Sequence, residues 1–306
     1  MTTLAAPDGA LPLSHWGLIR ARGPDSVAFL QSQLTNDVAA IGAGQVRLAG
    51  FCSAKGRLQA SFMVWKLADD DVLLACAASL LPQTLKRLSM FVLRAKCKLS
   101  DASAELPLRG VAGPSAQAMI GDMGAWTHRP VDGGSLLRLP DVEGVPRGIV
   151  ASSTPLENAT AHVLDDAAWR ALEVRSGIPL IEAATVDQFV PQMLNYELVG
   201  GVDFRKGCYP GQEVVARSQY RGTIKRRMFL FESASGPLFP AQEIFHSADA
   251  TQPAGMVVNA AGTLALIEVK LAALDNGSLH AGSVDGPTLT RRELPYIVPS
   301  DAALPV

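Results

Sequence analysis

The chain has 306 residues, of which 27 are basic and 29 acidic, so its formal net charge at pH 7 is −2. A charge so close to balance excludes a chain-wide basic field, and we expect no direct nucleic-acid partner. No apolar run approaches the roughly 20 residues that a membrane helix needs, so we expect no membrane association.

The start of the chain and its cysteines both point to the cytoplasm. The segment MTTLAAPDGALPLSHWG has neither the basic and apolar regions of a secretory leader nor the arginines of a mitochondrial presequence. The four cysteines form no CxxC pair and match no zinc spacing, which favours reduced thiols over a disulfide scaffold. The histidines form no HxxxH or HxH pair, so we predict no metal site.

The sequence pattern of the first part of the chain predicts strands and helices that alternate irregularly. Its predicted elements are a strand at 15–23, a helix at 23–38, a three-stranded meander over 45–77, a helix at 79–94 and a strand at 96–101. This order favours an α+β fold with antiparallel sheet over a doubly wound fold.

The rest of the chain predicts a second α+β region and then a change of composition. Its predicted elements are strands at 135–140 and 148–152, a helix at 165–177 that Gly177 ends, and short strands after Gly222. The turn spacing of those last strands predicts a small β-barrel or sandwich of about 80 residues. We therefore predict three domains, an α+β lobe at 1–106, a second α+β lobe at 107–222 and a β-barrel at 223–306.

The segment KGCYPGQE, residues 206–213, concentrates residue types that carry chemistry. It precedes a predicted helix, so Cys208 would lie before a helix N-terminus and near Lys206, and both features stabilise a thiolate. Gly207 and Gly211 allow backbone angles closed to other residues and let a ligand approach the main chain.

A structural alternative exists for Cys208, since free cysteines are among the most buried residues and no histidine stands beside it as a base. The composition of the segment favours a functional site. Its eight positions include two glycines, a cation, a thiol, an amide and a carboxylate, a set that a turn in the core does not need.

The motif resembles the signature of the YgfZ family, folate-binding proteins related to the aminomethyltransferase of the glycine cleavage system. The family form is K-G-C-(aromatic)-x-G-Q-E, and 206–213 matches every fixed position. Further similar segments follow in family order, namely LQSQLTNDV, CSAKGRLQA, VLRAKCKL, RSGIPLI, PQMLNYELVGGVDFRKG and VARSQYRGTIKRR.

The resemblance implies a fold and a role. The fold would be α+β, with two ferredoxin-like lobes and a C-terminal β-barrel, three-lobed around a central cavity that holds tetrahydrofolate. The role would be to mature or repair iron–sulfur enzymes, such as a radical tRNA methylthiolase. The implied partners are a reduced folate and those enzymes. We expect the chain to be a monomer.

The candidate residues follow from the motif and the resemblance. Cys208 and Lys206 would be the reactive pair, and the folate-binding candidates are Gln31, Thr35, Asp37, Lys55, Tyr209, Gln212, Glu213, Arg217 and Arg221. For the stretch around Gln31 to Asp37 a capped, solvated helix end is the alternative. For Lys55 the alternative is an ordinary hairpin turn.

Two basic clusters admit two interpretations each, a solvated face or an anion-binding surface. The first comprises Lys86, Arg87, Arg94, Lys96 and Lys98, and the second comprises Arg217, Tyr220, Arg221, Lys225, Arg226 and Arg227.

Three functions remain open at the level of sequence. The first is the folate-binding accessory factor, the second a folate-dependent one-carbon (aminomethyl or methyl) transferase or demethylase, and the third a protein-interaction scaffold. The segment ACAASLLPQTLKRL has no Asp or Glu, where aminomethyltransferases of the superfamily carry a functional aspartate. This favours the first function over ordinary aminomethyl transfer.

Overall fold

The computed structural model describes residues 7–155, 162–221 and 223–299. Within these ranges the chain divides into two compact units. Unit 1 consists of the chain up to Ser32, Asp37–Arg47 and Phe62–Trp169. Unit 2 consists of Gln33–Asn36, Leu48–Ser61 and the chain from Arg170 onward. The division into three domains predicted from the sequence stays a prediction.

Two five-stranded sheets precede the barrel. The first has the strand order β1-β7-β10-β9-β8 and the second the order β3-β4-β5-β2-β6. Their strands are β1 Gly9–Pro12, β2 Trp16–Arg22, β3 Val46–Cys52, β4 Leu58–Ala68, β5 Asp71–Ala77, β6 Lys98–Asp101, β7 Leu108–Ala112, β8 Thr127–Val131, β9 Gly134–Val142 and β10 Val145–Ser152. Adjacent pairs such as β2 with β5 run antiparallel, so the α+β prediction is confirmed.

The position of β5 in the middle of its sheet agrees with its sequence. Residues 72–77 are all buried, as a near-continuous apolar run predicts for a strand covered on both faces. Asp71 starts this strand, and its carboxylate accepts hydrogen bonds from the buried guanidinium of Arg20 at 2.6 and 2.8 Å. Burial alone would raise the pKa of Asp71, but the bonds and charges of Arg20 and Arg22 hold it below its ordinary value.

Helices are few and short. They are α1 Ser26–Gln31, α2 Leu81–Phe91, α3 Gly113–Ile120, α4 Asp166–Arg175 and α5 Gln212–Tyr220, with 3-10 turns at Pro191–Leu194 and Leu271–Ala273. The helix predicted at 23–38 is too long, since α1 ends at Gln31. Its predicted second half is a loop, because Gln31 Oε1 accepts the backbone N–H groups of Val38 and Ala39 at 2.7 and 3.2 Å. No helix in the described ranges has the length and apolar character needed to cross a bilayer.

The last part of the chain is a closed barrel in the order β11-β14-β13-β12-β15-β16. Its strands are β11 Arg226–Ser233, β12 Glu243–His246, β13 Gly255–Ala261, β14 Leu264–Lys270, β15 Leu279–Ala281 and β16 Thr288–Arg292. Alternate residues of β11 and β14, such as Phe229, Phe231, Ile267 and Val269, fill its core, as the two-residue period of a strand requires. The predicted barrel is thus confirmed over the sandwich.

Candidate functional site

The signature segment forms a turn that leads into α5. Gly211 precedes the helix with φ +79°, and the N–H of Gln212 donates to the carbonyl of Tyr209 at 3.2 Å. Cys208 lies four residues before the helix and is exposed, whereas Tyr209 beside it is buried. The turn therefore presents the thiol to solvent and anchors itself through the adjacent aromatic ring.

Lys206 is a buried support of this turn. Its side chain lies almost wholly inside the protein, and its Nζ donates to the carbonyl of Leu34 at 2.5 Å. The same ammonium lies 5.0 Å from the centre of the Tyr209 ring, within the range of a cation–π interaction. The sequence suggested a cation that acts on the thiol, and the structure adds two contacts that hold the turn in place. A role of Lys206 in the chemistry stays a prediction.

The loop of Gln33–Asn36 is held by the segment that leads to the signature. Thr35 donates its hydroxyl proton to the carbonyl of Gly201 at 2.6 Å and accepts the N–H of Gly50 at 2.7 Å. The amide of Asn36 donates to the carbonyl of Gly200 at 2.6 Å. Because these buried groups are already hydrogen-bonded to the main chain, Thr35 has a structural function whether or not it also contacts a ligand.

Two glycine turns meet at the start of α5. A Cβ on Gly211 would lie 2.3 Å from the carbonyl oxygen of Ser53 and 2.7 Å from the Cα of Gly56. Gly56 itself has φ +71° and is the last residue of a tight turn. Its backbone N–H donates to the carbonyl of Ser53 at 2.8 Å. Side chains at either glycine would separate the turns. The contact joins the turn that contains Lys55, the residue before Gly56, to the start of α5 at Gln212, the residue after Gly211.

Gly207 differs from Gly211. Its φ is not positive, and a Cβ there would meet no atom within 4 Å. The expectation that both glycines have special backbone angles is therefore wrong for Gly207. The open space beside it agrees with the second expectation, that a ligand can approach the main chain at this position.

The remaining folate-binding candidates lie in two places. Gln31 and Asp37 belong to unit 1, where Asp37 accepts the N–H of Ala40 at 2.9 Å. Glu213 and Arg217 form an ion pair one turn apart on the exposed side of α5. The structure therefore places seven of the nine candidates in unit 2 with Cys208, and leaves the binding role of all nine as a prediction.

Three of the candidates keep their side chains available. Lys55 and Arg221 are exposed and Gln212 is partly exposed, and in the described part of the chain none of the three makes a side-chain hydrogen bond or ion pair. Two cations and an amide suit a ligand that carries carboxylates and a polar heterocycle.

The basic residues of the second cluster do not all lie on one surface. Neighbouring residues of a strand face opposite sides, so Arg226 pairs with Glu268 at 2.7 Å while Arg227 is buried against Glu197. Burial raises the pKa of Glu197, although the charge of Arg227 opposes that effect. Sequence reasoning missed this buried pair, and the two-residue period of the predicted strand was the signal that could have separated the arginines.

The four thiols differ sharply in environment. Burial raises the pKa of Cys52 and of Cys76 to about 12, and it also raises the pKa of the half-buried Cys97. Cys208 is the exposed one. Of the four, the thiol in the signature is thus the one open to a reaction partner, and the alternative of a core cysteine does not hold.

Comparison with known proteins agrees with this geometry. The family model described as the GCVT N-terminal domain matches residues 8–131. The tRNA-modifying protein YgfZ of Edwardsiella ictaluri is 33% identical over 89% of this chain and 86% of that protein. Its counterpart in Photorhabdus laumondii is 31% identical over 97% of this chain and 94% of that protein.

A solved structure shares the fold. The glycine cleavage system aminomethyltransferase T from Bartonella henselae superposes with a TM-score of 0.74 over 95% of this chain and 87% of that chain, at 18% identity. At that identity the likeness shows the fold alone. The sequence relatives, which align over most of their own length and of this chain, establish that the chain belongs to the YgfZ family.

Proposed function

We propose that this chain is a tetrahydrofolate-binding accessory factor that supports iron–sulfur enzymes of tRNA modification, such as a radical tRNA methylthiolase. It would act in the cytoplasm as a monomer. Its relatives carry the name tRNA-modifying protein, and its fold is that of an aminomethyltransferase. The observation that carries the proposal is the exposed Cys208 in a turn that packs, through Gly211, against the turn that contains Lys55.

The residues present fit a reduced folate. Its glutamate carboxylates suit the cations of Lys55 and Arg221, and the polar edge of its pteridine suits the amide of Gln212, which both donates and accepts. The open space at Gly207 leaves the main chain accessible beside the thiol. When bound, tetrahydrofolate would supply a carrier for one-carbon units.

The protein's own contribution would be an oriented thiol. A thiolate is the form of cysteine that attacks electrophiles or binds metal. The contacts of Lys206 with Leu34 and Tyr209, which hold the turn, would position Cys208 for either role. Because the buried cation contacts Tyr209, the neighbour of Cys208, the loss of Lys206 would displace the thiol as well as destabilise the turn.

A one-carbon transferase is the second candidate, because the chain has the aminomethyltransferase fold. The segment at the end of β5 and the start of α2 contains no Asp or Glu, which removes one carboxylate suited to proton transfer. Purified protein given a methylated amine and tetrahydrofolate would decide between the two. Formation of methylene-tetrahydrofolate would favour the transferase, and its absence the accessory factor.

Genetic complementation tests the proposed function. Cells that lack the protein would receive wild type, Cys208→Ser or Cys97→Ser, and methylthiolated tRNA would be measured alongside the amount of folded protein. We expect Cys208→Ser to fold normally and to lose the modification, and the half-buried control Cys97→Ser to keep it. Retention of the modification by Cys208→Ser in proportion to folded protein would contradict the proposal.

A further inference from the structure

An exposed aromatic pair stands beside the signature turn. Tyr220 is the last residue of α5 and keeps 61% of its surface exposed. The ring of Phe204 lies 5.8 Å from it, at an interplanar angle of 70°, the edge-to-face arrangement that aromatic pairs prefer. The contact supports the Tyr220 ring from one side and leaves most of its surface open to solvent.

Two exposed arginines flank this pair. Arg205 follows Phe204 and Arg221 follows Tyr220 in the chain, and neither guanidinium makes a hydrogen bond or ion pair in the described ranges. The nearest acid in sequence, Asp203, uses a carboxylate oxygen to accept the backbone N–H of Arg205 at 2.8 Å. An open aromatic face thus has two cations next to it in the chain, and no carboxylate among the described residues forms an ion pair with either of them.

This combination suits a single strand of RNA. Unpaired bases stack on aromatic side chains while arginines bind the adjacent phosphates. A protein partner would favour contiguous apolar area, such as the exposed Met90, Phe91 and Leu93 at the end of α2. Around Tyr220 the chain neighbours are polar or charged, Gln219 and Arg221, which favours a polyanion with planar bases.

We propose that Phe204, Arg205, Tyr220 and Arg221 form a binding surface for an unpaired RNA segment, with a base stacked on Tyr220 and phosphates on the two guanidinium groups. The proposal rests on the proposed function only for the choice of tRNA as the RNA. The net charge of −2 excludes a chain-wide basic field, but it averages over the chain and does not exclude a local patch of this size.

Fluorescence anisotropy with a labelled RNA stem-loop that carries an unpaired loop tests the surface, with a blunt RNA duplex of equal length as the reference ligand. We expect the stem-loop to bind more tightly than the duplex. Tyr220→Ala should weaken stem-loop binding about tenfold, since a base loses its stacking partner, and Tyr220→Phe should change it less than about twofold. Phe239→Ala is the matched control, because Phe239 is also aromatic and 61% exposed but has no cation beside it in the chain.

The arginines give a second readout. Arg205→Ala and Arg221→Ala should each reduce the slope of log affinity against log salt by about 0.7, the value for one phosphate contact on a single strand. The control Lys96→Ala, in the first basic cluster, should leave the slope unchanged.

Several outcomes would overturn the inference. These are equal affinity for stem-loop and duplex, equal effects of Tyr220→Ala and Phe239→Ala, and a slope that changes with Lys96→Ala but not with Arg221→Ala. Melting temperatures would confirm that each variant is folded. Tetrahydrofolate titration of the wild type, Arg205→Ala and Tyr220→Ala separates the two proposals, because the proposed folate contacts include Arg221 but neither Arg205 nor Tyr220. Failure of the wild type to bind RNA while it still binds folate overturns this inference alone.

Discussion

Replacement of Gly211 by alanine tests the contact between the start of α5 and the turn that contains Lys55. An alanine at φ +79° adopts a left-handed conformation that costs roughly 1–2 kcal/mol. Its Cβ would lie 2.3 Å from the carbonyl of Ser53, and such overpacking costs about 1–3 kcal/mol. The two effects together predict a loss of about 2–5 kcal/mol in the free energy of unfolding.

The assay is thermal and urea unfolding of Gly211→Ala beside Gly207→Ala. At roughly 2 °C per kcal/mol for a chain of this size, Gly211→Ala should melt about 4–10 °C below wild type. Gly207→Ala should stay within about 0.5 kcal/mol, because its Cβ would meet nothing within 4 Å. Equal melting temperatures for the two variants, or a lower one for Gly207→Ala, would refute the close approach of the two turns.

Three further predictions concern the thiols, the buried cation and acid stability. Limiting iodoacetamide at pH 8 should label Cys208 first and leave Cys52 and Cys76 last, because a pKa of about 12 leaves roughly one thiol in ten thousand ionised at either position; early labelling of Cys52 or Cys76 would contradict the burial of that thiol. Lys206→Met should lower the melting temperature by several degrees, since it removes a charged hydrogen bond and a cation–π contact worth about 2–4 kcal/mol together, whereas the exposed control Lys55→Met should not. Asp71 has a lowered pKa in the folded state, so its stabilisation should be present above about pH 4 and lost as the pH falls further; a wild type and an Asp71→Asn variant with the same pH dependence of unfolding would disprove this.

The sequence predicted the elements that depend on local pattern. The barrel strands, the strand around Ile19 and the helix after Gly211 all follow from apolar period and turn residues. The length of α1 could not be predicted in the same way, because Gln31 ends the helix with a side chain that bonds to the backbone beyond it. Such a bond depends on the path of the loop, which no local pattern specifies.

The sequence predicted which residues form the candidate site, but not which of them are exposed and which are buried. The signature identified Cys208 and Lys206, yet only the fold shows that the first is exposed and the second is buried. The partner of Lys206 is the carbonyl of Leu34, which lies 172 residues earlier in the chain. The ion pair of Arg227 with Glu197 was hidden for the same reason, since a run of basic residues does not show which of its members faces the interior.

Binding of tetrahydrofolate tests the central claim most directly. Calorimetry and thermal unfolding would compare wild type with Lys55→Ala and Gln212→Ala, and with Lys98→Ala as an exposed control. We predict saturable binding to wild type and to Lys98→Ala, with a stabilisation of about 2.7 kcal/mol at a folate concentration of 100 times the dissociation constant. Lys55→Ala and Gln212→Ala should bind more weakly while they melt like wild type without ligand. Absence of binding to the wild type, or equal affinity in all four proteins, would contradict the account.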